Sequence, residues 1–371
     1  MRTLRILARR SVIALVALLV AAFAYAAWRT AAPAAMPTHK PAPPVDWSAL
    51  PVAVVTVDAR RSEITIELPP VDLPAGAAGH HGVEIPAAVG EFPVGGAIFG
   101  FRAEAVDATG RLLPADAIHH FNVMDPADRE LFLPISRRLL AIGKETGVVR
   151  LPRLLVGARI RRGERIVANA MLHNPNGQFY RGVRVRMVVN YTPEGRPWPL
   201  LAGSPWQLDV AFPVGDKSFD LPPGRSERSY EGSPAVPGDL VVIGGHLHEY
   251  GQVIELWDAT AGELIWHGEP ASGRNGKSGA VPIAKLYGLT RIGAHITPSH
   301  RYRVRVVYDN PTGGVVSAGG MGVIAGLFIP DRGAVWPSAD PTDSLYQKDL
   351  RHFLGVAPPL ARAPAHSHAG H

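Results

Sequence analysis

Short runs in which apolar and polar residues alternate constrain this chain more than any other feature of its sequence. Such alternation fills residues 62–68, 183–189 and 302–307. Because successive side chains of a strand point to opposite faces, this period predicts strands with one face in a core. The 39 glycines and 35 prolines supply the turns that many short strands require. The pattern therefore predicts an all-β fold of sandwiches or jelly rolls.

The turn-rich segments between the predicted strands indicate where the chain divides into domains. A polar, turn-rich stretch at residues 193–205 follows a clear strand, and we place a domain boundary there. This gives two jelly-roll-like β-sandwich domains in tandem, at 51–193 and 206–331. Residues 253–257 and 263–266 flank a short glycine-containing loop and predict a hairpin. Residues 131–143 alone look helical or irregular, and residues 332–371 are expected to form a loosely ordered tail with a histidine-rich end.

The N-terminus predicts export from the cytoplasm. Four arginines lie within the first ten residues, and residues 11–28 carry no charge until the chain reaches Arg29. This pattern fits either a signal peptide, with Ala24-Tyr25-Ala26 as the cleavage site, or an uncleaved membrane anchor, which the 18-residue length favours. Residues 29–50, rich in alanine and proline, predict a linker. Both alternatives place the folded part in the periplasm or outside the cell, with membrane attachment if the segment is retained.

Composition excludes several classes of site. The chain contains no cysteine, so disulfides, iron–sulfur clusters, cysteine-bound zinc and thiol catalysis are all excluded. The net charge is +6, but the arginines are scattered and the folded part has no basic run, so no nucleic-acid partner is predicted. Stability must therefore come from core packing and any bound metal.

Two histidines lie close together after the apolar run 240–243. His246 and His248 are separated by one residue. Side chains at positions i and i+2 of a strand point to the same face, and their Cα atoms are about 6.6 Å apart. The pair fits either a shared metal or two half-buried histidines without metal. Met321, in the glycine-rich run 318–329, fits either core filling or a soft metal ligand. The neighbouring glycines 319, 320 and 322 would allow close approach of the backbone to a cleft.

A second group of histidines comes earlier in the chain. His119 and His120 are adjacent, so their side chains could share a metal only at a bulge, a twist or a strand end. His173 follows a predicted strand and opens an Asn-Pro-Asn-Gly turn. A further pair, His80 and His81, lies in a glycine- and alanine-rich loop with no strand to frame it, and we rank it lower.

Taken in order, these motifs resemble the copper type II, ascorbate-dependent monooxygenases, the family of peptidylglycine α-hydroxylating and dopamine β-monooxygenases. The resemblance spans about residues 60–330 and rests on motif order and spacing. It implies two β domains with one copper ion each. His119, His120 and His173 match the electron-storing copper site. His246, His248 and Met321 match the catalytic copper site, where dioxygen and a small-molecule substrate react, with ascorbate or another external one-electron donor.

Departures from the family pattern limit what the resemblance implies. The peptide-amidating branch has an arginine where this chain has Gly244, and an asparagine and a tyrosine where it has Val323 and Ala325. The family's peptide-carboxylate clamp is therefore missing, and a smaller or less polar substrate is expected. Loss of the clamp also leaves open a second function, that of a copper-binding or assembly protein without turnover on the same scaffold.

Overall fold

A computed structural model describes residues 45–77, 82–143, 146–174, 176–211, 217–271, 281–288 and 290–355. Most of these residues lie in β-strands, so the all-β prediction is confirmed. The predicted export segment 1–28, linker residues 29–44, His80, His81 and the histidine-rich end lie outside the described residues. Within the described ranges, no helix has the length and apolar character needed to cross a membrane.

The described part of the chain contains 22 strands and one α-helix. The strands up to the predicted boundary are β1 (Val54–Asp58), β2 (Glu63–Glu67), β3 (Val71–Leu73), β4 (Val83–Glu91), β5 (Gly96–Val106), β6 (Ile118–Arg129), β7 (Ser136–Gly143), β8 (Val149–Arg150), β9 (Val156–Ile160), β10 (Arg165–Leu172) and β11 (Tyr180–Pro193).

The elements after the boundary are β12 (Leu201–Asp209), β13 (Phe219–Leu221), β14 (Gly224–Gly232), β15 (Gly238–Leu247), β16 (Gly251–Asp258), β17 (Glu263–Gly268), β18 (Val281–Lys285), β19 (Ala294–Ile296), β20 (Tyr302–Asn310), β21 (Val316–Gly320), β22 (Gly322–Pro330) and α1 (Ser344–Leu354). The predicted hairpin is confirmed as β16 and β17, which pair antiparallel.

Each half of the chain places two sheets face to face. In the first half, strands β1-β2-β11-β5-β9 face the four-stranded sheet β4-β10-β6-β7 across one apolar core. In the second half, β12-β22-β15-β18 faces the sheet β14-β20-β16-β17 across another. The alternation seen in the sequence serves this arrangement, because β2 buries Ile64 and Ile66 while its glutamates stay outside.

The two halves share one sheet. Strand β9 pairs in parallel with β12, with Val156 opposite Leu201, so a single sheet of 12 strands runs through both halves. The segment Leu131–Ile135, from the first half, enters the apolar core of the second. Glu130 is buried beside it and accepts hydrogen bonds from the backbone N–H groups of Leu131, Arg138 and Gln207. Backbone hydrogen bonds therefore fix the halves relative to each other.

Two local expectations are wrong. Residues 131–135 are irregular, but Ser136–Gly143 form strand β7 instead of a helical excursion, because Leu139, Leu140 and Ile142 fill the first core. Residues 332–355 are also not a loose tail. Helix α1 begins at the capping side chain of Asp343 and ends at Gly355, whose φ of 68° suits a residue without a side chain.

Helix α1 covers the outer face of the sheet β4-β10-β6-β7, the face turned away from the first core. Tyr346, Leu350, Phe353 and Leu354 pack there against Met124 and Val167. Asn169 donates a hydrogen bond of 2.8 Å to the carbonyl oxygen of Phe353. The end of the described chain is thereby attached to the first half.

Candidate metal centre

The adjacent histidines His119 and His120 lie at a β-bulge. In the pairing of β6 with β10, His120 stands opposite Met171 but Ile118 stands opposite Leu172, so His119 is the extra residue. A bulge breaks the strict alternation of side chains and redirects the residue it inserts. The sequence requirement for two adjacent histidines to lie in one site is therefore met by the backbone.

His173 directly follows β10 beside this bulge. Its backbone N–H donates to the carbonyl oxygen of Ala117 at 2.8 Å, which continues the pairing past the last residue of the strand. Gly82 lies against the ring, since a Cβ atom at that position would come within 2.8 Å of His173 Cδ2. The absence of a side chain at Gly82 gives the imidazole its space.

The three rings form one group, which we call the three-histidine set (His119, His120 and His173). The ring of His119 stacks on that of His173, with centroids 4.1 Å apart and planes 17° from parallel. The centroids of His119 and His120 are 5.5 Å apart. Nδ1 of His119 and Nε2 of His173 are both buried from solvent.

The sheet register brings the other three candidate residues together. His246 stands opposite Val323 and Leu247 opposite Gly322 in the antiparallel pair β15–β22. One further step of this register places His248 opposite Met321. Opposite residues of an antiparallel pair share a face, and so do residues two apart, so His246, His248 and Met321 project from the same face. We call these three residues the His–His–Met set.

The hydroxyl of Tyr308 ties the two strand ends together. It accepts hydrogen bonds from the backbone N–H groups of His248 at 3.1 Å and Met321 at 3.0 Å, and it donates to the carbonyl oxygen of Met321. Tyr308 is 1% exposed and belongs to the second core. A residue that the sequence did not single out therefore fixes the spacing between His248 and Met321.

The backbone around the His–His–Met set adopts conformations that ordinary residues avoid. Tyr250, two residues after His248, has a φ of 70°, and Ala318, three residues before Met321, has a φ of 49°. Side chains make such values costly, and they concentrate at sites where geometry serves a function. Asp220 Oδ1 accepts the N–H of Ala318 at 2.8 Å and holds that segment in place.

The expected role of the glycines around Met321 is wrong. A Cβ at Gly322 would lie 3.0 Å from Val210 Cγ2, and one at Gly319 would lie 2.9 Å from Val316 Cβ. A side chain at Gly320 would collide with the ring of Phe219. These glycines make room for apolar neighbours within the second half, not for approach of the backbone to a cleft.

Burial and neighbouring histidines lower the pKa of one imidazole in each set. Burial, followed by the charges of His248 and His119, lowers the pKa of His246 to about 3. Burial and the charges of His173 and His352 lower the pKa of His120 to about 4. Both imidazoles are therefore neutral at pH 7, the form in which histidine binds a metal. The effect of His119 on His246 links the first half to the second.

In neither set do the imidazole rings point at a common position where a metal ion could sit. The described part of the chain contains no group of three or more His, Asp or Glu side chains arranged to hold a metal ion. The stacking of His119 on His173 explains this for the three-histidine set, because lone pairs lie in the ring planes and nearly parallel planes cannot aim them at one ion. In the His–His–Met set, the ring centroids of His246 and His248 are 5.2 Å apart and the ring planes are 88° from parallel.

Sequence reasoning missed His352, which was assigned to the tail. It lies in the last turn of α1, and its charge acts on His120. The signal was present in the amphipathic spacing of Tyr346, Leu350, Phe353 and Leu354, which marks a helix with one apolar face.

A different surface depression, on the outer face of the first half, offers no rival centre. Its charged side chains pair with one another: Arg102 lies 2.8 Å from Glu104 and 3.3 Å from Glu63, and Arg186 lies 2.8 Å from Glu104. Paired charges across neighbouring strands are the usual content of a solvated sheet face. The histidine sets therefore remain the leading candidate.

Comparisons with known proteins give no family. No protein-family model matches the chain, and no curated protein matches it. Among solved structures, STIV MCP is similar with a TM-score of 0.34 and 10% identity, over 79% of this chain and 99% of its own. PNGase F, a glycosylasparaginase from Flavobacterium meningosepticum, has a TM-score of 0.35 and 11% identity, over 73% and 98%. These TM-scores are too low to transfer a site or an activity.

Proposed function

We propose that this chain is an exported, copper-dependent monooxygenase-like protein built from two jelly-roll-like sandwich domains. The three-histidine set would hold one copper ion and the His–His–Met set a second. One observation carries the proposal: the β15–β22 register, extended by one step, puts His246, His248 and Met321 on one face although 73 residues separate His248 from Met321. The bulge at His119 supplies the matching support in the first half.

The donor chemistry of the two sets suits copper. Imidazole binds copper in both oxidation states, and a thioether favours Cu(I). Copper, when bound, would supply dioxygen binding and one-electron transfer. The chain's own residues would hold each ion and orient its ligands, and Tyr308 would keep the backbone of Met321 beside that of His248.

The residues around the His–His–Met set indicate the kind of substrate. Val323 lies on the same face, opposite His246, and Gly244 leaves the position two residues before His246 without a side chain. At these two described positions, 244 and 323, the chain carries no cationic side chain to bind a carboxylate. A small substrate with an apolar reacting end fits it, and hydroxylation of a C–H bond by dioxygen with ascorbate or a similar donor is the proposed reaction.

The second candidate function is copper binding or assembly without turnover. The stacking of His119 on His173 favours the assembly role, because this arrangement must open before the set can bind a metal. A protein that binds copper without turnover would also contain copper, so metal content alone cannot separate it from an enzyme. Oxygen consumption can.

The test begins with copper content per chain, followed by oxygen uptake in the presence of ascorbate. The wild-type protein should bind two copper ions and consume oxygen, and His246→Ala should roughly halve the copper content. Met321→Leu nearly conserves volume and should cost under about 1.5 kcal/mol of stability. It should keep some copper, lose oxygen uptake and lose the sulfur signature of Cu(I) in X-ray absorption.

Three results decide between the outcomes. Wild-type protein without bound copper would refute both the monooxygenase-like function and copper binding without turnover, and would leave the assembly role. Copper binding without ascorbate-dependent oxygen uptake would leave the non-catalytic function. If Met321→Leu leaves both the sulfur signature and the oxygen uptake unchanged, Met321 is a core residue and the proposed catalytic site is wrong.

A further inference from the structure

Three side chains from neighbouring strands lie side by side on the outer face of the sheet β4-β10-β6-β7, the face that helix α1 covers. Met171 pairs with Glu84 on one side and with His120 on the other, which makes one row across β4, β10 and β6. Their chain neighbours Ile85, Leu172 and Phe121 all point into the first core. Because side chains alternate along a strand, Glu84, Met171 and His120 must point away from that core.

Helix α1 ends over this row. The bond from Asn169 to the carbonyl oxygen of Phe353 fixes the last turn two residues along β10 from Met171. A Cβ at Gly355 would lie 3.8 Å from Glu84 Oε2. His352 therefore sits beside the row, close enough for its charge to act on His120. It is exposed, whereas His120 and Met171 are partly buried.

We propose that His120, Met171 and His352 form a surface loading site for a soft monovalent cation, Cu(I), which then passes to the three-histidine set. Two imidazoles and a thioether are ligands that select Cu(I) over hard cations. Directly opposed residues of an antiparallel pair have Cβ atoms about 5 Å apart, which lets His120 and Met171 share one ion. Glu84, at the rim, adds a negative charge that attracts a cation.

His120 explains how the ion moves inward. Its ring belongs to both groups, since it lies 5.5 Å from His119 by ring centroid and beside Met171 in the sheet. An ion held by His120 can exchange Met171 and His352 for His119 and His173 without leaving the protein. The loading role rests on the proposed copper function, whereas binding of a soft cation by these three side chains does not.

Silver(I), a redox-silent substitute for Cu(I), tests the binding step. In protein labelled with ¹³C at the methionine methyl groups, the Met171 methyl resonance should shift during a silver titration. Met171→Leu assigns the resonance. His352→Ala should raise the silver concentration needed for the shift at least about fivefold, a weakening of about 1 kcal/mol. Arg351→Ala controls for the charge at the helix end, and His295→Ala controls for loss of an exposed histidine.

The transfer step is measured separately, as the rate at which Cu(I) leaves a bicinchoninate complex for the protein. Met171→Leu and His352→Ala should each slow this transfer several-fold and leave the final copper content unchanged. A Met171 methyl that stays unmoved while the Met321 methyl shifts would overturn the proposal. Unchanged transfer rates in both variants would also overturn it. Wild-type protein that takes up no copper would refute the proposed function, and the silver titration would still decide whether the surface site exists.

Discussion

Tyr308 provides the sharpest test of how the His–His–Met set is positioned. Tyr308→Phe keeps the aromatic ring in the second core and removes only the hydroxyl. That hydroxyl makes three hydrogen bonds, to the backbone N–H groups of His248 and Met321 and to the carbonyl oxygen of Met321. Each bond contributes about 1 kcal/mol, and the two donors left behind are costly where water cannot reach them. We therefore expect a loss of about 3 kcal/mol.

This loss converts into a measurable change in melting temperature. The entropy of unfolding is about 2.1 cal/mol/K per residue, so roughly 300 ordered residues give about 0.6 kcal/mol/K. A loss of about 3 kcal/mol then lowers Tm by about 5 °C. Differential scanning calorimetry on metal-free protein measures this shift independently of any copper chemistry.

Tyr302→Phe is the matched control. Tyr302 lies on the same strand, is also 1% exposed, and its hydroxyl accepts a single hydrogen bond of 3.0 Å, from the N–H of Thr297. Its loss should cost about 1 kcal/mol, roughly a third of the effect at Tyr308. If Tyr308→Phe destabilises the protein no more than Tyr302→Phe does, the hydroxyl does not hold the two strand ends together, and the positioning argument fails.

Three further predictions concern other parts of the molecule. A phosphatase fused after about residue 50 should be active, and an active cytoplasmic reporter at the same position would refute export. Burial raises the pKa of Glu164 from 4.5 to about 7, so the folded form holds this proton more tightly than the unfolded form does. The stability that this proton contributes is present below pH 4.5 and is lost as the pH rises through 7. In urea unfolding, the free energy of unfolding of Glu164→Gln should not show this decrease with pH. A variant with the same pH profile as the wild type would contradict the prediction. Gly82→Ala should displace the His173 ring and reduce copper bound by the three-histidine set, whereas Gly314→Ala, which has open space, should not; equal copper content in both would remove the packing role of Gly82.

The alternation of apolar and polar residues was enough to predict these strands, because burial of one face of a strand requires an apolar side chain at every second position. The strands that include residues 63–67, 183–189 and 302–307 formed where the alternation indicated. Strand β7 was missed because Leu139 and Leu140 are both buried, which breaks the alternation. Helix α1 was missed because residues 332–371 were expected to form a loosely ordered tail.

The candidate sites show a similar division. Motif order grouped six residues, and strand geometry alone required a bulge, a twist or a strand end at His119 and His120. Tyr308 and His352 could not be found in this way, because their importance comes from contacts between segments far apart in the chain. Tyr308 is 60 residues from His248, and only the sheet register brings them together. The role predicted for the glycines near Met321 was wrong for the same reason. The sequence alone does not show whether a glycine lies beside a cleft or against a packed valine.

The parallel pairing of β9 with β12 has a consequence for any attempt to divide the protein. A cut in the turn between Pro193 and Leu201 would leave β9 as a bare strand edge on one fragment and β12 on the other. An exposed edge strand presents unpaired backbone N–H and C=O groups that can pair with another chain, so each fragment alone would tend to aggregate. Mixed together, the fragments carry matching edges, the Leu131–Ile135 segment that belongs in the second core, and a C-terminal helix that belongs on the first half. The molecule is therefore suited to reassembly from two pieces, in the manner of a split reporter, and poorly suited to isolation of either half.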